Sequence, residues 1–135
     1  KGRGCFLFNA DHSRTKLHVS ERVDHLIYLS SMTHENDEEK AVVQNHQDII
    51  DHVIRAGAST KAILLALGKG DASIRYTDKT KEWDVCAPDL IVREAGGIFL
   101  DTKKKEFSYN KKDVYNHDGY CMFNRVENMV LLNEK

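Results

Sequence analysis

Glu82-Trp83-Asp84 leads into an apolar-periodic stretch and is the densest chemistry-bearing segment of the chain. A carboxylate at a strand-to-helix junction serves one of two ends. As a cap it accepts hydrogen bonds from orphan N–H groups of the first helical turn. As an outward-facing oxygen ligand it holds a hard cation such as Mg²⁺, with the helix N-terminus free to face a phosphate. Capping is the simpler role, and the spacing of this segment alone does not separate the two. His46 and His52 are six residues apart, which is not the i, i+4 spacing of a helical metal pair, so they read as solvated.

The rest of the composition narrows the class. The 135 residues are 41% hydrophobic and 30% charged with a net charge of −1, as expected of one soluble domain, 1–135. A polynucleotide binder would show a basic face. Here Lys103, Lys104, Lys105, Lys111 and Lys112 cluster, but acids elsewhere balance them, so they read as a solvated loop. Cys5, Cys86 and Cys121 form no CxxC pair, which suits reduced thiols in the cytoplasm. No stretch has the length of a membrane span, and no signal-peptide pattern opens the chain. It does not open on Met. That suits a fragment or a trimmed terminus.

The elements that must position the candidate site follow from periodicity. Cys5 to Phe8 and Leu26 to Leu29 read as strands, and Leu17 to Ser20 alternates weakly. The acidic run within Thr33 to Lys40 suits the first turn of a helix. Apolar residues at helical spacing predict an amphipathic helix from Glu38 to Arg55, stopped by Gly57. Ser59 is expected to cap a second, buried helix through Ala62 to Leu67, ended by Gly68 and Gly70. Ala72 to Tyr76 is a short strand. A helix starting near Asp84 shows Leu90, Ile91 and Ala95 to the core and closes at Gly96-Gly97. Ile98 to Leu100 is a strand, 102–117 a polar loop and Tyr120 to Phe123 a strand. Asn124 would cap a final helix carrying Val126, Met129, Val130 and Leu132. This alternation predicts an α/β fold, a layered mixed sheet flanked by helices.

Trp83-Asp84-Val85-Cys86-Ala87-Pro88, followed by Val92-Arg93-Glu94-Ala95-Gly96-Gly97, resembles the C-terminal signature of the inositol monophosphatase superfamily. Upstream, Gly57-Ala58-Ser59-Thr60-Lys61 and Ala66 through Asp71 are similar to that family's Gly-Ser-Ser segment and the buried helix after it. Tyr109-Asn110 and Gly119 through Asn124 resemble the tail of its bisphosphate nucleotidases. The resemblance covers about Leu26 to Val130. It implies the C-terminal half of the sugar-phosphatase fold, with Asp84 a catalytic metal ligand for Mg²⁺. It also implies hydrolysis of a phosphate monoester by metal-activated water, with no covalent phosphoenzyme.

By the same resemblance, Arg75 stands where inositol monophosphatases carry glutamate and bisphosphate nucleotidases carry arginine. A glutamate accepts from polyol hydroxyls, whereas an arginine grips a second phosphate. Lys61 matches a nucleotidase lysine in the same pocket. Ser59 belongs to the substrate-binding segment, and His34 lies near a serine-rich motif lining the nucleotide site. The implied reaction removes the 3'-phosphate of adenosine 3',5'-bisphosphate to give AMP. An inositol or sugar phosphatase, or a non-catalytic nucleotide-binding domain, is the alternative. Two departures stand out: Ala58 replaces a common serine, and Ala87-Pro88 replaces the commoner Ala-Gly. The family's other metal carboxylates, a Glu-Glu pair and an Asp-Pro-x-Asp-Gly-Thr segment, lie in an N-terminal half absent from this sequence. The chain alone is therefore expected to be inactive. Its expected partners are a small phosphate-bearing substrate and that N-terminal half, with a homodimer left open.

Overall fold

The run Leu26-Ile27-Tyr28-Leu29 is apolar enough to cover both faces of a strand, and a sheet is organised around it. In the computed structural model, which describes residues 2–32, 35–77 and 79–132, a hairpin of β1 (Cys5–Phe8) and β2 (Arg14–Leu17) comes first. The run itself forms β3 (Leu26–Ser31), followed by α1 (Asp37–Asn45), β4 (Ile50–Ala56), α2 (Ala58–Ala66) and β5 (Ala72–Arg75). Then come β6 (Thr80–Lys81), α3 (Glu82–Glu94), β7 (Ile98–Leu100), β8 (Tyr115–Asn116), β9 (Tyr120–Phe123) and a 3₁₀ helix (Val126–Leu131). The main sheet has five strands in the order β4-β3-β5-β9-β7, with β3 parallel to β4 and β5 and with β9 antiparallel to both neighbours. The expected mixed α/β architecture is what forms.

Alternation along the strands divides the core into two layers. Leu29, Tyr120 and Met122 face α2 and α3, where they meet Leu65, Val85 and Val92. Tyr28, Cys121 and Phe123 face the other way, onto Val42 of α1 and Leu131. The sheet is thus covered on both faces, as parallel pairings require.

The helix expected over Glu38 to Arg55 is two elements. α1 ends at Asn45, and Ile50–Ala56 pairs in parallel with β3 instead. The residues Asp48 to Arg55 carry as much β-branched character as helical periodicity, and the ladder beside β3 decides between them. His46 is the C-cap of α1 and His52 lies on β4, so the two never share a helix. Gly57 therefore ends a strand, and it is Gly57, with extended backbone, that starts α2. Ser59 is inside the first turn and caps nothing. Ile63 remains 45% exposed, so α2 is not buried all round. On α3 the core residues are Val85, Pro88, Asp89 and Val92, while Leu90 is exposed.

Asn124 also departs from expectation. The final helix is a 3₁₀ turn whose N-cap is Arg125, with Val126 and Val130 exposed. Asn124 instead donates to the carbonyls of Ser20 (3.0 Å) and Arg22 (2.9 Å). Those carbonyls belong to a latch around Asp71, which is fully buried. Asp71 accepts from Ser20 Oγ, from Arg22 Nε at 2.8 Å and from the Ile27 N–H at 2.8 Å. The segment after β2 is so fixed to the middle of the sheet.

Candidate active site

The N-terminal ends of α2 and α3 open onto one cleft of about 410 Å³. Ser59, Lys61, Arg75 and Asp84 all line it, although 25 residues separate the first from the last in the chain. His34 lies outside the described residues. Ser31, Thr80 and Tyr120 line the cleft as well. Sequence reasoning passed over Tyr120 because a strand aromatic reads as core, which by burial it is.

Each side chain is delivered by a local feature. The turn into α2 uses glycine at the cap, and no side chain bonds its first amides. The N–H groups of Ala58, Ser59 and Thr60 precede the first intrahelical bond, from Lys61 N to Gly57 O at 2.9 Å. These are the donors, and the positive dipole end, that an anion meets at a helix start. Lys61 points back beneath them, 1% exposed, and its Nζ donates to Ser31 Oγ at 3.1 Å. Its ammonium also lies 5.6 Å from the centroid of the Tyr120 ring. No carboxylate among the described residues lies within ion-pair distance of it. Burial, and secondarily Arg75, pushes the Lys61 amine down to about 8, against the weaker pull of Glu39 and Glu35.

Arg75 is the last residue of β5. Its Nη1 donates to Glu39 Oε1 at 2.9 Å, and its other donors have no protein partner among the described residues. Glu39 is 3% exposed and also accepts the Tyr76 N–H at 2.8 Å. Burial raises its carboxyl above the usual range, with Arg75 and the Tyr76 N–H working in the opposite direction. Gly119 makes the bend before β9 with φ +71°, and a methyl group there would run into the Arg75 carbonyl oxygen.

Asp84 is exposed at the third position of α3, and its Oδ2 accepts the Lys81 N–H at 2.8 Å. The capping role is therefore occupied by one oxygen. Oδ1 has no protein partner among the described residues and remains available to a ligand. Pro88 lies inside α3, past its first turn, and removes the N–H that would otherwise bond the Asp84 carbonyl. Glu82 serves a different purpose. It accepts from the N–H groups of Asn110 (3.1 Å) and Lys111 (2.9 Å), and pins the polar loop against α3.

Magnesium takes oxygen ligands, six in near-octahedral order. Asp84 fits as one of them. Yet the cleft contains no second carboxylate, and no group of three or more His, Cys, Asp or Glu side chains could hold an ion among the described residues. The residues present do not make a complete magnesium site.

The model of the inositol monophosphatase family matches residues 1–132, and the chain belongs to that family. Over 63 residues it is 38% identical to 3'(2'),5'-bisphosphate nucleotidase 1 of Mus musculus, an alignment covering 46% of this chain and 20% of that protein. Over 93 residues it is 31% identical to 3'(2'),5'-bisphosphate nucleotidase 1 of Dictyostelium discoideum, covering 67% and 29%. Among solved structures it is similar to CysQ from Bacteroides thetaiotaomicron, with TM-score 0.70 and 28% identity over 83% of this chain and 42% of that one. The inositol monophosphatase of Thermotoga maritima shares the fold at TM-score 0.69 and 17% identity, over 87% and 44%. The chain thus spans less than half the length of these relatives.

Proposed function

We propose that this chain is the anion-binding part of a magnesium-dependent phosphomonoesterase acting on a nucleotide with two phosphates. The whole enzyme would remove the 3'-phosphate of adenosine 3',5'-bisphosphate and leave AMP. One observation carries the reading: two cations, Lys61 and Arg75, share a cleft with two uncapped or half-capped helix starts and Asp84. An inositol phosphate offers hydroxyls that an acidic side chain would bind better than this arginine does. The similarity to bisphosphate nucleotidases points the same way.

In this reading the residues divide the work. The α2 amides and Lys61 receive phosphate oxygens, and Arg75 offers its free donors to the second phosphate. Ser59 donates from the rim. Asp84 Oδ1 would be one ligand of the metal, which when bound would supply an activated water and neutralise phosphoryl charge. The other ligand oxygens come from outside this chain. Met32 and Trp83, each 63% exposed on the cleft wall, suit a surface that another part of the enzyme covers. A cytoplasmic setting, with three unpaired thiols, belongs to the same proposal.

That Asp84 is the one carboxylate among the described residues of the cleft favours a second reading, a domain that binds the nucleotide without turning it over. Phosphate release from adenosine 3',5'-bisphosphate and from inositol 1-phosphate, with Mg²⁺ and the protein at its natural length, separates the two. Preference for the bisphosphate supports the nucleotidase. Tight binding with no release supports the binding domain, and preference for inositol 1-phosphate overturns both.

A further inference from the structure

Glu39 is a buried carboxylate that the reaction as described does not use. It sits in the first turn of α1, yet its side chain crosses to β5, bonding Arg75 Nη1 at 2.9 Å and the Tyr76 N–H at 2.8 Å. Its own N–H is held by Asn36 Oδ1 at 2.9 Å, and Asn36 Nδ2 in turn donates to the Tyr76 carbonyl at 2.6 Å. The start of α1 is therefore fastened to the end of β5 through the Arg75 guanidinium and through both backbone groups of Tyr76, the next residue.

A guanidinium has five donors in a rigid fork, and fixing one arm sets the direction of the rest. Arg75 is 17% exposed and lines two adjoining cavities, the cleft with Lys61 and a larger one walled by Asn36, Thr77 and Thr102. Without its partner it would have both to sample. We infer that Glu39 is a positioning residue that orients Arg75 toward the second phosphate and so sets the preference for bisphosphate over monophosphate. This rests on the nucleotidase reading. Glu35 makes a parallel arrangement next door, accepting from Ser30 Oγ at 2.6 Å and Arg55 Nη2 at 3.1 Å. Of the two glutamates, Glu39 is the one that touches a cation of the cleft.

The test uses the enzyme at its natural length, with adenosine 3',5'-bisphosphate and with 3'-AMP, which lacks the second phosphate. Glu39→Gln keeps the size and an acceptor for Tyr76. It raises KM for the bisphosphate about tenfold, the scale of one charge-assisted hydrogen bond. It leaves kcat and the KM for 3'-AMP within about twofold, inside the scatter between independent sites. In an Arg75→Gln background Glu39→Gln has no further effect, a non-additivity that a merely structural glutamate would not show. Glu39→Asp, which keeps the charge but shortens the reach, gives the same KM pattern and stands in if the glutamine variant does not fold. Additive effects, or equal losses on both substrates, overturn the inference. An Arg75→Gln enzyme that keeps its bisphosphate preference overturns the nucleotidase reading and this inference with it. Loss of the preference in Arg75→Gln but not in Glu39→Gln overturns the role of Glu39 alone.

Discussion

Lys61 Nζ donates to Ser31 Oγ over 3.1 Å, and this bond ties the buried side of α2 to the C-terminal end of β3. The hydroxyl is a neutral partner for a charged amine. The cleft thus keeps a buried cation uncompensated, an arrangement that favours an arriving anion over the empty site. Lys61→Met should lower phosphate-ester affinity about 10- to 100-fold, the range for hydrogen bonds to a charged group. The same change should leave the melting temperature unchanged or raise it, because a buried charge is removed. Calorimetric binding and thermal unfolding on one preparation check both parts. A large loss of stability would mean that the lysine holds the fold.

The same amine predicts a pH dependence. The protonated form binds the anion, and the folded-state value is near 8 against 10.5 for an ordinary lysine. Affinity should therefore fall as pH rises through about 8, and binding at pH 8 to 9 should take up protons. Arg75 of β5 lowers the value, while Glu39 and Glu35 beside α1 raise it. The sign for stability is opposite. Between about 8 and 10.5 the unfolded chain binds a proton that the native chain has lost, so this group makes the protein more stable as pH rises. A phosphate affinity flat from pH 7 to 9 would refute the assignment.

Gly119→Ala should be costly. The left-handed backbone and the approach of the Arg75 carbonyl oxygen leave no room for a methyl group, and β5 and β9 would have to part. Overpacking of this kind costs about 1–3 kcal/mol, read as a shift in denaturant midpoint. Bisphosphate affinity should fall with it, since Arg75 rides on the displaced strand end.

Asp71→Ala removes the acceptor of the latch and leaves the Ile27 N–H and Ser20 Oγ without it. Arg22 is 37% exposed and can turn to water, which moderates the loss. A destabilisation of about 2–4 kcal/mol is expected from the buried unsatisfied groups. Hydrogen exchange should show residues 19–27 opening first, with the cleft intact.

The 135-residue chain by itself should release no phosphate from adenosine 3',5'-bisphosphate in the presence of Mg²⁺, because Asp84 is the one carboxylate among the described residues of its cleft. A turnover assay on the purified chain that shows metal-dependent release would contradict this.

Much of this was readable from residue order alone. The strands at 5–8, 26–31, 72–75, 98–100 and 120–123 announce themselves by short apolar runs between glycines and polar turns. Ser59, Lys61, Arg75 and Asp84 were singled out through the resemblance of the motifs around them, whereas Gly57 was read as a stop rather than as the start of α2, and Lys81 at the entry to α3 carried no signal. What failed was context. Ile49-Ile50 and Val53-Ile54 satisfy a helical stripe and a parallel strand alike, and only the neighbouring β3 selects the strand. Asn124 has the right chemistry for a cap, but carbonyls over a hundred positions upstream take its amide first. Glu39 looked like a favourable charge in a first turn, and nothing local shows that it reaches Arg75.

The order β4-β3-β5-β9-β7 places β9 between two strands that precede it in the chain. On a translating ribosome, β3, β4 and β5 emerge early and can pair. β7 follows with β9, its neighbour in the main sheet, still unmade. The gap closes only when Tyr120–Phe123 clear the exit tunnel, and until then α3 has half a floor to rest on. Parallel and non-local pairings are slow to form, and an open strand edge is exposed to other chains while it waits. Within this chain the interval between synthesis of residue 75 and residue 123 is a window in which a chaperone would matter.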